Sequence, residues 1–228
     1  MCIHPFSSNR DTFDRPRLLA LEGPAGVGKT ELAVAMESIL SQSGKRVTLV
    51  SEFSQTPLGL ALHPAAAYGQ SEPRQQWIQG LGGSLAFLSD QVAQFEAVCP
   101  SDTDWIIADR FLISQIVLGI GHDVSKTLTL AIEEIVTALI RWVSSRFHER
   151  SVLVFLDASS GICRTRLEAR TARPLREHEI LQTELESERY RKLSQLSFPW
   201  KSVRLDAERE KEVLSAELLG LVHYLEAR

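Results

Sequence analysis

Gly23-Pro24-Ala25-Gly26-Val27-Gly28-Lys29-Thr30 is the segment that most restricts what this chain can become. It fits the spacing GxxxxGK[ST] in full. Leu18-Leu19-Ala20-Leu21 precedes it, a short apolar run of the kind that forms a strand buried in a parallel sheet. A helical pattern follows from about Lys29 to Ser43, and Gly44 stands where a helix-ending C′ glycine belongs. A strand, a glycine turn and a helix in that order make an anion cradle. The glycines let backbone amides turn inward, and the helix points its positive end at the same place. In such a loop the Lys29 ammonium reaches the β- and γ-phosphates of a nucleotide and the Thr30 hydroxyl holds magnesium. Gly23, Pro24, Ala25, Gly26, Val27, Gly28, Lys29 and Thr30 are therefore the candidate cofactor contacts, with ATP and Mg2+ expected. The glycines do not follow GxGxxG, so a dinucleotide is not expected.

The rest of the chain alternates strand and helix signals. Val47 to Val50, Trp105 to Ala108, Val152 to Leu156 and Ser202 to Leu205 read as further strands. Helical patterns run from about Arg74 to Val98, with a soft point at Gly80, Gly82 and Gly83, and from Phe111 to Ile120. Others run from about Ser125 to Glu149, Gly161 to Arg170, His178 to Ser197 and Arg209 to Glu226, and Ser54 to Glu72 reads as irregular. This alternation predicts an α/β fold with a five-stranded parallel sheet covered on both faces. Ligands then belong at the carboxyl ends of the strands. The length of 228 residues suits one domain, expected at 17–228, after a flexible N-terminal arm at 1–16.

Composition narrows the partners. With 44% hydrophobic and 24% charged residues the chain is neither disordered nor fibrous. A net charge of -4 argues against a general nucleic-acid binder. Cys2, Cys99 and Cys163 form no CxxC pair, which excludes a thiolate zinc site and points to a reducing, cytoplasmic compartment. The first 17 residues lack the apolar core of a signal peptide, and Thr127 to Val143 is too short and too charged to cross a bilayer, so no membrane is expected.

Among phosphate-loop proteins, a GTPase would need [NT]KxD after a strand, but the fourth strand leads into Asp157-Ala158-Ser159-Ser160. A large AAA+ motor would need a longer chain. A compact kinase remains. Asp109 and Asp157 each end an apolar strand and are the candidate partners of magnesium. Asp109 continues as Arg110-Phe111-Leu112-Ile113-Ser114. This segment resembles the Asp-Arg-Tyr (or His) segment, followed by Ser or Thr, of the thymidylate kinase family, to which deoxynucleoside kinases are related. Leu19 to Gly23, Leu85 to Asp90, Leu156 to Ala158 with Arg164 to Arg170, Ser187 to Tyr190, and Leu205 to Ala207 resemble further segments of that family in the same order.

The resemblance implies a three-layer P-loop kinase fold with an Arg-rich lid at about 164–180, and a homodimer. It implies that Asp109 orients magnesium or its waters, that Arg110 holds acceptor-side phosphate or positions the acid, and that Ala207 lies near adenine. Asp157 becomes the lesser metal candidate. The run from Arg164 to Arg176 holds five arginines and one acid. Planar guanidinium forks suit the oxygens of a phosphoryl group in flight. Arg166, Arg170, Arg173 and Arg176 are accordingly candidate catalytic residues with Lys29, Asp109 and Arg110.

The acceptor half departs from the family. Its Arg-Glu-Pro-Gly becomes Ser51-Glu52-Phe53-Ser54, its Asp-Arg becomes Asp90-Gln91, and its Tyr-Gln pair falls on Val117-Leu118-Gly119. Glu52 resembles the base of deoxynucleoside kinases, which accepts a hydroxyl proton. Phe53, Phe87 and Trp77 suit stacking on a base or core packing equally. Gln91 and Gln76 suit reading a base edge or facing water. His63, His122 and His178 have no metal-ligand spacing. The expected function is ATP- and magnesium-dependent phosphoryl transfer to a nucleotide-like acceptor. Two alternatives stay open: a hydroxyl-bearing nucleoside or other small molecule as acceptor with Glu52 as base, and an ATP-binding regulator with little turnover.

Overall fold

The computed structural model describes residues 15–66, 81–98, 102–118 and 126–227. Most of the expected arm at 1–16, together with Gln76, Trp77, His122 and the start of the helix expected from Arg74, lies outside the described residues.

Five strands form one sheet: β1 (Arg17–Glu22), β2 (Val47–Val50), β3 (Trp105–Asp109), β4 (Val152–Asp157) and β5 (Lys201–Asp206). They lie in the order β2-β3-β1-β4-β5, and every pairing is parallel. The helices are α1 (Lys29–Gln42), α2 (Pro57–Ala66), α3 (Leu81–Ala97), α4 (Ser114–Leu118), α5 (Lys126–Ser144), α6 (Ser160–Thr171), α7 (Glu177–Leu193) and α8 (Lys211–Glu226).

Both sheet faces are covered, which is why the central strands are apolar at consecutive interior positions rather than at alternate ones. Leu18 and Ala20 of β1 face a core shared with Leu88 and Phe95 of α3, Val136 and Val143 of α5, and Tyr190 of α7. Leu19 and Leu21 face the opposite core, with Leu32 and Met36 of α1 and Leu218 and Val222 of α8. The result is the three-layer arrangement of a P-loop kinase. Register brings Leu21 beside Asp109 and Asp157 beside Asp206, so the acids that end the strands gather at one edge of the sheet.

One element departs from expectation. Part of the stretch expected to be irregular at 54–72 is helical, as α2. Its start has the chemistry of a helix terminus. Thr56 Oγ1 accepts a hydrogen bond from the Gly59 amide at 3.2 Å, as an N-cap does. Pro57 occupies the first helical position, where a missing N–H costs nothing. Gly59 also lets the helix approach Ser54, since a β-carbon there would lie 2.3 Å from the Ser54 carbonyl oxygen.

The phosphate loop is fixed by packing as well as by dihedrals. Gly26 (φ +80) and Gly28 (φ +102) both adopt left-handed backbone, but only Gly26 is crowded: a β-carbon on it would meet the Cys163 carbonyl oxygen at 2.5 Å. That oxygen belongs to α6, so the close approach locks α6 onto the loop. We expect Gly28→Ala to lower stability by about 1–2 kcal/mol through backbone strain alone. Gly26→Ala should cost roughly 2 kcal/mol more, because α6 must shift. Urea denaturation of both variants checks this; equal losses would show that the α6 contact contributes nothing.

Candidate active site

The carboxyl ends of β1 and β3 bring the loop and the Asp109-Arg110 pair together. Lys29 is 5% exposed, and its ammonium donates to the carbonyl oxygens of Gly23 and Pro24, each at 2.8 Å. Burial, and then the neighbouring Arg110, lower its pKa to about 8. Beside it the Thr30 hydroxyl donates to Asp109 Oδ2 at 2.5 Å. Asp109 Oδ1 is buried and has no hydrogen-bond partner among the described residues.

Arg110 is the most constrained residue of the site. Its backbone is left-handed (φ 75), unusual for a residue with a β-carbon, and its amide donates to the Leu21 carbonyl at 3.1 Å. That turn sends the side chain inward. Nη1 donates to the Gly23 carbonyl at 3.2 Å and to the Tyr190 hydroxyl at 3.0 Å. Nε lies 2.7 Å from Glu52 Oε1, a charge contact without hydrogen-bond alignment. Burial works against the guanidinium charge, but Glu52 and the other surrounding groups hold its pKa well above the ordinary value.

A buried polar chain supports this arginine. Tyr190 Oη donates to Ser114 Oγ at 2.9 Å, and Ser114 Oγ donates to Glu22 Oε2 at 2.6 Å. Glu22 Oε1 accepts the Phe111 amide at 2.9 Å. Despite these donors, burial pushes the Glu22 pKa up to about 7. Glu186 of α7 reaches the loop itself: its Oε2 accepts the Ala25 amide at 2.9 Å, and its Oε1 accepts Gln182 Nε2 at 3.1 Å.

The arginine run is differentiated. Arg166 donates to the carbonyls of Val27 at 3.1 Å and Ala207 at 3.0 Å, tying the loop to the turn after β5. Ala207 is buried and its amide donates to the Asp157 carbonyl at 2.8 Å. Arg173 is paired with both carboxylate oxygens of Glu179, at 2.9 and 2.7 Å. Arg164 pairs with Glu168, while Arg170 and Arg176 have exposed side chains. Asp157 meets Arg204 and, at 3.7 Å, Arg191, bordering a cavity of about 560 Å³. Its partners are thus arginines, whereas Asp109 is the acid joined to Thr30.

On the acceptor side, Phe53 packs against Phe87 with ring centroids 5.5 Å apart and against His63 at 5.2 Å. Asp90 accepts the Ser54 amide at 2.9 Å and the Ser54 hydroxyl, holding the loop after β2. Ser84, Phe87 and Gln91 are buried on one face of α3. Ser84 Oγ and Gln91 Oε1 are buried with no hydrogen-bond partner among the described residues.

Sequence reasoning placed the loop, Asp109, Arg110 and Glu52 together, as the structure does. It missed Glu22, Ser84 and Glu186, and it quoted Tyr190 without a role. Glu22 did carry a signal, as a lone acid closing an apolar strand. Glu186 carried none, because its role depends on how α7 folds back over the loop.

The class that fold and loop define is an α/β protein built like a P-loop kinase. Three thymidylate kinases of Xanthomonas campestris pv. campestris, from strains B100, 8004 and ATCC 33913, are each 43% identical to this chain over 53 residues. The match spans 23% of this chain and 23% of those relatives. No family model matches the chain.

Glu22 makes stability depend on pH. Its carboxyl titrates near 4.5 in the unfolded chain and near 7 when folded, so the folded state binds the extra proton between those values. The contribution is full below about pH 4.5 and is lost as pH rises toward 7, on the order of 3 kcal/mol in all. We expect urea midpoints of the native chain to fall from pH 5 to pH 7.5 more steeply than those of Glu22→Gln. Identical slopes would contradict this.

Proposed function

We propose that this protein transfers the γ-phosphoryl group of ATP to the phosphate of a nucleoside monophosphate, with thymidine monophosphate the first acceptor to test. The observation that carries the reading is the placement of Arg110. It is a buried cation at the mouth of the phosphate loop, held between Glu52, Tyr190 and the Gly23 carbonyl.

ATP phosphates would lie along residues 23–30, with Lys29 exchanging the Gly23 and Pro24 carbonyls for phosphate oxygens. Thr30 and Asp109 fit Mg2+: both offer oxygen, and the buried Asp109 Oδ1 has no hydrogen-bond partner among the described residues. Bound there, the ion would neutralise charge on the β- and γ-phosphates. Ala207, fixed to Arg166, would border adenine. The lid arginines would meet the phosphoryl group in flight, Arg170 and Arg176 directly and Arg166 and Arg173 after release from their present partners. The γ-phosphorus–acceptor-oxygen bond forms as the bond to the ADP oxygen breaks, and ADP leaves with that electron pair.

The Glu52–Arg110 contact bears on the acceptor. A carboxylate facing a phosphate dianion needs a cation between them, and Arg110 provides one. The same contact already engages Glu52 Oε1, one of the two oxygens with which a base would take a hydroxyl proton. A monophosphate oxygen is already ionised and needs no base. Phe53, Phe87 and Gln91 would receive the base, and Gln91 Oε1, which has no hydrogen-bond partner among the described residues, would accept from a donor on its edge.

The decisive comparison uses thymidine and thymidine monophosphate with ATP and Mg2+, in the native chain and in Glu52→Gln. We expect thymidine monophosphate to be phosphorylated by both, with turnover of the variant within about tenfold of native. Phosphorylation of thymidine alone, lost in Glu52→Gln, would instead make Glu52 the base of a nucleoside kinase. ATP binding without any phosphorylated product would favour a nucleotide-binding regulator.

A further inference from the structure

We infer that Glu186 is an internal anion that competes with nucleotide for the phosphate loop, so that nucleotide affinity is set partly by the position of α7. The inference rests on the loop being the ATP site.

A phosphate loop offers amide donors and a lysine to an anion. Here two of these groups are already engaged. The Ala25 amide donates to the Glu186 carboxylate, and Lys29 turns back onto two carbonyls of its own loop. Glu186 is no surface residue reaching over: it is 2% exposed and is also held by Gln182, one turn earlier on α7. A buried carboxylate persists only where donors and cations compensate it. Its amide partner and its electrostatic neighbours Lys29, Arg110 and Arg189 supply that compensation. The Ala25 amide, Lys29 and Arg110 are groups the proposed phosphates would use.

Two anions therefore make claims on one set of donors. Glu52, Asp109 and Glu186 already surround Lys29 and Arg110. Adding a triphosphate beside an immobile Glu186 places like charges together in a buried setting, where screening is weak. The lowest-cost response moves the carboxylate off the Ala25 amide, which requires α7 to shift or Glu186 to take another rotamer. α7 is also the helix into which Arg173 is pinned through Glu179. Displacing Glu186 thus bears on the element that holds the lid arginine, and nucleotide binding and release of Arg173 become linked.

Glu186→Gln isolates the charge, since its side-chain oxygen can still accept the Ala25 amide. Isothermal titration with ATP and Mg2+, without acceptor, should show Glu186→Gln binding at least tenfold more tightly than the native chain. Circular dichroism checks that the variant is folded. Hydrogen exchange of the native chain gives a second readout that needs no variant: ATP with Mg2+ should slow exchange at residues 23–30 and speed it at 183–190. Native binding with no gain in Glu186→Gln, or slower exchange at both segments, would overturn the inference while leaving the ATP site standing. Failure of both proteins to bind ATP would overturn the ATP site and the inference together.

Discussion

A guanidinium taken out of water costs several kcal/mol unless its charge and donors are met, and Arg110 is such a group. What meets it comes from several separate parts of the chain. Glu52 follows β2, Gly23 opens the loop after β1, and Tyr190 sits on α7. Glu22, at the end of β1, joins through Ser114 and Tyr190. Satisfying one buried cation therefore fixes the relative positions of two strand ends, the phosphate loop and the helix that follows the arginine run. The left-handed backbone at Arg110 is the local cost of aiming its side chain into that setting.

The same arrangement concentrates opposite charges where a phosphoryl group would pass. Lys29 and Arg110 stand among carboxylates whose number exceeds their own, which suits a site completed by a divalent cation. Asp109 is the residue on which this turns. One of its oxygens is bonded to Thr30 and the other is buried without a hydrogen-bond partner among the described residues. Asp157, at the equivalent end of β4, has its charge met by Arg204 and Arg191. Two acids that look alike in sequence are thus separated by their neighbours.

Much of this was legible before the fold was known. The loop spacing, the apolar runs on either side and the strand–helix alternation are local patterns, and they predict the sheet, its covering and the loop. The start of α2 was also legible, because Thr56-Pro57 is an N-cap followed by a first-turn proline, yet the surrounding Pro, Gly and Ala obscured it. The pairing of Arg173 with Glu179 could not be read from a run of arginines, since it depends on the turn between α6 and α7. Glu186 was illegible for a stronger reason. Its meaning comes from a contact across 161 residues of chain, to an amide that every residue but proline possesses.

The central claim is phosphoryl transfer to an acceptor that already bears phosphate. Phosphorus NMR of the protein with ATP, Mg2+ and thymidine monophosphate tests it most directly. The account predicts that ADP and thymidine diphosphate appear in equal amounts as the ATP and monophosphate signals fall. ADP accompanied only by inorganic phosphate, with the monophosphate signal unchanged, would contradict it.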